Sequence, residues 1–327
     1  MGLTVESIRF LLEGWPQERP VRRVLTLGRQ DLWVGPERLR RLLAEHGRWP
    51  PDGDAGAFRE AMLKAGWRLA AFFRWLGVEE TRALDASDYE GADLVWDLNQ
   101  PIPDDWDGQF DLVIDGGTLE HVFHFPTALA NAMRLTGVGG RLVLFTPATN
   151  YCGHGFYQFS PELFYRALSP ENGFRVRRLE AAVDTAGFAR LLGVRYSFPI
   201  RSRRHWVADP AEVGERVVLV DRRPVLLFVE AVKERAVRPF ATAPQQSDYV
   251  PQWTRKQAAQ PLAQTGPAAR LAAWLQEKLG EDFCREALPR LAGCLDPLRG
   301  WRFFRRLSRA NRRHYQPVVR GDHPKRP

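Results

Sequence analysis

From Val21 onward the chain alternates short β-branched runs with helix-like stretches, and this rhythm restricts its fold more than any other feature. Strands joined by helical crossovers lie parallel in a sheet covered on both faces. The predicted strands are Val24–Leu27, Thr81–Leu84, Asp93–Trp96, Phe110–Ile114 and Arg141–Phe145, with two more over Phe174–Leu179 and Pro224–Val232. Ser160-Pro161-Glu162 opens a helix between the last two groups, the hydroxyl capping and the proline filling the first turn. Together they predict a doubly wound α/β domain. Three of the strands run straight into an acid, Asp85, Asp97 and Asp115. Ligands of open α/β sheets sit beyond the carboxyl ends of the strands, so these three carboxylates are expected on one ligand-binding edge.

Composition narrows the class. With 327 residues, 44% hydrophobic and 26% charged, the chain can bury a sizeable core, which excludes wholesale disorder. No apolar stretch approaches the roughly 20 residues of a membrane span, and Glu6, Arg9 and Glu13 interrupt the N-terminal run, so a cytoplasmic protein is expected. Cys152, Cys284 and Cys294 are too scattered for a disulfide framework or a spaced zinc site, which fits a reducing compartment, and no metal ligand is assigned. The net charge of +8 belongs to one end: residues 236–327 hold 17 of the 47 Lys and Arg against 7 of the 39 Asp and Glu, which leaves residues 1–235 near neutral.

The most informative stretch, Phe110 to Pro147, reads strand, Asp115-Gly116-Gly117, a predicted helix starting Thr118-Leu119-Glu120-His121-Val122, then Gly139-Gly140 and another strand. This order resembles the second half of a class I S-adenosylmethionine-dependent methyltransferase. There the fourth strand ends in an acid and is followed by a Glu-His-bearing helix and a Gly-Gly turn. The resemblance covers about residues 21–233. It implies a Rossmann-like, doubly wound, mostly parallel seven-stranded sheet over residues 1–235. A linker over 236–264 and a basic helical tail over 265–327 complete the expected organisation. It also implies S-adenosyl-L-methionine as cofactor and methyl transfer as activity, with O-methylation of a small-molecule or glycan-type acceptor as the expected reaction.

On that resemblance Asp85 accepts both ribose hydroxyls, and Asp97 accepts from the adenine amino group with Leu98 as its apolar neighbour. Asp115 falls at the methyl-donor end, where it offsets the sulfonium charge or positions a substrate hydroxyl. Gly116 keeps side chains out of the way, and His121 joins the cofactor set. The loop after the first strand departs from the family, whose loop is rich in glycine. Here it reads Leu27-Gly28-Arg29-Gln30-Asp31. Gly28 alone is kept, and Arg29 and Gln30 are expected to reach the cofactor's carboxylate end instead. Gly28 and Asp85 are 57 residues apart, against roughly 20 in dinucleotide folds, which implies an insertion over about 35–76. Its helix-like pieces, Pro36–His46 and Phe58–Trp75, form either a lid or extra core. The altered loop keeps a second reading open: a catalytically inactive binding or scaffold protein. A nicotinamide enzyme is disfavoured, since no Gly-x-Gly-x-x-Gly follows the first strand.

Just after the fifth strand comes Asn150-Tyr151-Cys152-Gly153-His154-Gly155-Phe156-Tyr157-Gln158-Phe159-Ser160. Two glycines bracket a histidine amid aromatics, beside the expected transfer point. Imidazole titrates in the range a general base needs to take a hydroxyl proton, so His154 is the candidate base, with Tyr157 and Gln158 positioning the substrate. In the tail, Arg299 to Arg313 carries seven arginines and no acid, with Trp301, Phe304 and Leu307 at helical spacing. That pattern suits an anionic membrane surface on the inner face, or an acidic partner, better than nucleic acid.

Overall fold

The chain begins with β1 (Gly2–Leu3), α1 (Val5–Glu13), β2 (Arg23–Leu27) and β3 (Asp31–Leu32), followed by α2 (Pro36–Glu45), α3 (Ala55–Lys64) and α4 (Leu69–Trp75). Next come β4 (Glu80–Asp85), β5 (Leu94–Val95), β6 (Phe110–Asp115), α5 (Phe125–Leu135) and β7 (Thr136–Thr149). The last part holds α6 (Pro161–Ala167), β8 (Phe174–Val183), β9 (Arg204–Val207), α7 (Pro210–Val213), β10 (Val225–Lys233) and β11 (Tyr315–Pro317). This is a computed structural model, which describes residues 2–16, 19–183, 204–219, 221, 223–250, 274, 277–278, 280 and 312–318.

The main sheet has nine strands in the order β11-β9-β8-β10-β7-β6-β2-β4-β5. Pairings from β7 to β5 are parallel, and β10 runs against both β7 and β8. The run β5-β4-β2-β6-β7 is the doubly wound 3-2-1-4-5 order, whose direction of winding reverses between β2 and β6. All seven predicted strands lie in this sheet. The expected count of seven is corrected by β9 and β11, antiparallel strands at the β8 end of the sheet and too short to carry a pattern. In the expected tail, Tyr315–Pro317 is strand rather than helix; the basic segment from Arg299 through residue 311 lies outside the described residues. Residues 236–250 are tied to the domain: Phe240 N donates to Asn172 Oδ1 (2.9 Å) and Ser247 N to Glu162 Oε1 (2.7 Å).

Strand alternation fills both faces, as a sheet covered on two sides requires. Leu25, Leu27, Val113, Leu142 and Leu144 pack with α5 and α6, while Val24, Leu112, Ile114, Val143 and Phe145 pack with α1 to α4. The three helices between β3 and β4 belong to the second layer, where Phe72 and Phe73 are fully buried. Their α3–α4 link grips the loop after β2: Leu32 N donates to Trp67 O (2.8 Å), Leu69 N to Gln30 O (3.1 Å), and Arg68 pairs with Asp31 (2.9 Å). Among the described residues no helix is long and apolar enough to cross a membrane.

The helix expected from Thr118 is replaced by a single 3₁₀ turn over Leu119–His121, and α5 starts only at Phe125. Pro126 in the first turn of α5 fits this start, because proline donates no N–H to a preceding helical turn. The turn is therefore separate from α5, with Leu119 in the core and Glu120 and His121 left for other partners.

Candidate functional site

Crossover reversal occurs between β2 and β6, whose carboxyl ends are where open α/β sheets take ligands, and the turn after β2 stands at that edge. Gly28 there has φ +69 and donates its N–H to Leu84 O (2.7 Å), a left-handed turn that suits glycine. Arg29 turns toward β5, donating to Gly91 O and lying 3.7 Å from Asp93. Its terminal nitrogen Nη2, expected to reach a cofactor carboxylate, is thus engaged within the fold. Gln30 is 2% exposed and folds back to donate Nε2 to Leu27 O (2.9 Å). Its Oε1 has no partner and packs where a Cβ on Gly116 would be, with Gln30 Cδ 2.7 Å from that point. Only glycine at 116 admits this amide.

Asp85 ends β4 and uses one oxygen, Oδ1, which accepts from Ala86 N (2.7 Å). Asp97 lies two residues past β5 rather than at its end. Its Oδ1 accepts from Asn99 N (2.9 Å) and Nδ2 (2.8 Å), and the backbone bond first, then the side-chain bond, hold its pKa below the ordinary value. Leu98 is 4% exposed in the core, and its carbonyl accepts from Asn131 Nδ2 (3.3 Å).

Asp115 lies beneath this edge. Its Oδ1 accepts from Thr118 N (2.8 Å) and Leu119 N (3.3 Å), while Oδ2 has no partner. Burial pushes its pKa up to about 7, against the pull of the backbone N–H groups. With no exposed surface, Asp115 shapes the turn that carries the next residues. This corrects the expected direct contact with a donor or substrate.

Those next residues form the densest chemistry in the molecule. Glu120, 1% exposed, is pushed up to about 8 by burial and by the neighbouring Asp115 carboxyl. Its Oε1 lies 3.5 Å from His154 Nε2, and its Oε2 has no partner. His121 and His154 meet edge to face with ring centroids 4.9 Å apart, and burial lowers the His121 pKa. One ligand-type atom from each of Glu120, His121 and His154 lies within 4.8 Å of the other two. Distant chain is brought here by the backbone of Glu120, whose carbonyl accepts from Phe156 N (2.7 Å) and Tyr157 N (3.2 Å). Gly155 makes that approach possible: φ is +74, and a Cβ would stand 2.7 Å from Glu120 O.

Two expected substrate contacts serve this loop instead. Tyr157 donates its hydroxyl to Phe123 O (2.6 Å), and Gln158 Oε1 accepts from Tyr151 N (2.8 Å), so both hold the loop in shape. His121, expected with the cofactor set, joins His154. The sequence reading assigned no metal ligand and gave the Glu120 side chain no role. Its adjacency to His121 was the available signal, but the third member, His154, lies 33 positions beyond His121 and only the fold unites them. Beside the cluster Phe123 and Phe156 are 61% and 67% exposed, with their rings 5.8 Å apart in an edge-to-face pair.

No family model matches the chain, and no curated protein does. Among solved structures it is similar to the YcgJ protein of Bacillus subtilis at 12% identity, with 71% of this chain and 99% of that one covered and a TM-score of 0.37. It is also similar to a Listeria monocytogenes protein assigned as an S-adenosylmethionine-dependent methyltransferase, at 10% identity, 69% and 97% coverage and TM-score 0.36. The trans-methyltransferase CalH, in complex with SAH, matches at 13% identity, 69% and 54% coverage and TM-score 0.31.

Proposed function

We propose that the chain binds S-adenosyl-L-methionine at the carboxyl ends of β2 and β6 and transfers its methyl group to an acceptor oxygen held at the Glu120–His121–His154 cluster. The observation that carries the reading is the placement of these side chains around the crossover reversal of a doubly wound sheet, where such folds take their ligands. The donor set fits the cofactor. Asp85 keeps one carboxylate oxygen for ribose hydroxyls, and Asp97 keeps one for an adenine amino group. The unpartnered Gln30 Oε1 offers an acceptor, which suits a cationic, N–H-bearing methionine end.

S-adenosylmethionine, when bound, supplies a methyl group on a positively charged sulfur. The chain's own part is to orient and to manage one proton. Asp85 fixes the ribose, Gly28 and Gly116 keep Cβ atoms away, and the exposed Phe123–Phe156 pair offers a face to an apolar or sugar-like acceptor body. His154 Nε2 is the imidazole nitrogen placed to take the acceptor's hydroxyl proton, and Glu120 beside it stabilises the charged ring. The acceptor is a hydroxylated small molecule or a glycan unit.

A catalytically silent binding protein is the second reading, favoured by one observation: Arg29 and Gln30 are both used inside the fold. Isothermal titration with S-adenosylmethionine and S-adenosylhomocysteine tests the cofactor assignment. Micromolar binding is expected, weakened about 10- to 100-fold in Asp85→Ala through lost charged hydrogen bonds. Binding that is absent at millimolar ligand, or indifferent to Asp85→Ala, overturns it.

A further inference from the structure

We infer that Glu120, His121 and His154 form a binding site for a first-row divalent cation of the zinc type, with an open position for an oxygen donor. Two imidazoles and one carboxylate are a ligand set typical of such ions, whereas magnesium and calcium favour oxygen-only surroundings. The spacing is close to what an ion needs. Tetrahedral bonds of about 2.0–2.1 Å place ligand atoms about 3.3 Å apart. Glu120 Oε1 and His154 Nε2 already lie 3.5 Å apart, and all three ligand atoms fall within 4.8 Å. Small rotations of the two histidines, both on the solvent side of the cluster, close the remaining gap.

An independent observation comes from the carboxylates. Glu120 Oε2 is buried with no partner, and Asp115 Oδ2 behind it is buried with none either. Among the described residues no Lys or Arg pairs with either carboxylate, and His154 is the one basic group within ion-pair distance of Glu120. Two adjacent buried carboxylates without a cation are costly. A divalent ion on Glu120 supplies the missing charge at the one point where the pair meets two imidazoles. Asp115 then acts from behind as a positioning residue, holding the turn that presents Glu120 and His121.

The site stands on its own geometry; its role rests on the methyl-transfer reading. With the ion bound, His154 serves as ligand, and an acceptor hydroxyl at the open position is acidified by the ion, its proton passing to water. In the ion-free chain His154 itself takes that proton.

The test is a cobalt(II) titration of the untagged, chelator-stripped full chain, followed by visible d–d absorption and without any cofactor. One equivalent of Co²⁺ is expected to bind and to be displaced by one equivalent of Zn²⁺. His121→Ala and His154→Ala each weaken Co²⁺ about tenfold or more, as loss of a ligand requires, with thermal unfolding of the ion-free chain unchanged. Glu120→Gln weakens it similarly, and the histidine variants decide the matter should that buried change unfold the chain. No binding at millimolar Co²⁺, or affinity within twofold of wild type in the His121→Ala, His154→Ala double variant, overturns the site. Loss of S-adenosylmethionine binding with the cobalt result intact would remove only the methyl-transfer reading.

Discussion

Glu230 and Glu120 are each 1% exposed, yet they sit in opposite electrostatic surroundings. Glu230, on β10, accepts from Arg178 Nε (2.6 Å) and Arg141 Nη1 (2.8 Å), and Arg178 also donates to Phe10 O (2.7 Å) at the end of α1. Burial pushes Glu230 up, but the Arg178 and Arg141 guanidiniums outweigh it and hold the pKa below the ordinary value. Nearby, Arg204 forks onto both oxygens of Glu13 (2.6 Å each) and approaches Glu180 (3.2 Å). At the carboxyl edge no arginine answers Asp115 or Glu120 among the described residues. A region that compensates its buried charge serves the fold. One that leaves acceptors open, next to imidazoles and the crossover reversal, is arranged to receive something.

Removing one partner from each region breaks the comparison most sharply. Glu230→Ala strands the buried Arg178 guanidinium and the half-buried Arg141, and urea unfolding at pH 7 is expected to show a loss of about 3–5 kcal/mol. Glu120→Gln keeps the shape and removes an unanswered carboxylate, so a change under about 1 kcal/mol is expected in the ion-free chain. Comparable losses in the two variants would mean that Glu120 too is a structural ion.

The pH dependence separates the same regions by sign. Native Asp115 and Glu120 hold protons up to about 7 and about 8, whereas the unfolded chain releases them near 3.8 and 4.5. Across that interval the native state binds more protons, so stability falls as pH rises, by up to about 1.4 kcal/mol per unit for each proton. Glu230 acts the other way. Its folded pKa is lowered, so its contribution is present above 4.5 and lost as pH falls through the folded value. Chemical denaturation from pH 4 to 9 should show the alkaline-side decline, and Glu120→Gln should flatten it; an equal slope in that variant would contradict the assignment of the proton to Glu120.

Much of this contrast is invisible in the chain's order. The seven β-branched runs revealed the sheet because interior strands need unbroken apolar stretches, and Asp85 and Asp115 do end strands β4 and β6. β9 and β11 escaped notice because runs of four and three residues carry no period. The reading of Arg29 and Gln30 missed their bonds within the fold for a different cause. A long polar side chain beside a turn can bond outward or to its own backbone, and here Gln30 chose Leu27 O. Glu120 is legible only as a neighbour of His121, since its partner His154 arrives through backbone bonds that no pattern announces.

Gly153 and Gly155 bracket His154 and give the finest test of how that arrival is secured. Both have positive φ, +88 and +74, so alanine at either costs about 1–2 kcal/mol of backbone strain. They differ in what a Cβ would meet: nothing within 4 Å at Gly153, but Glu120 O at 2.7 Å and Glu120 Cγ at 3.1 Å at Gly155. Gly155→Ala must push the loop off the Glu120 carbonyl, carrying His154 away from the carboxylate. Gly155→Ala should therefore unfold at the lower urea concentration, and only Gly155→Ala should weaken cobalt binding, by about tenfold. Equal cobalt affinity in both would show that His154 reaches Glu120 without the close backbone approach. Contact between the two residues would then depend on side-chain attraction alone.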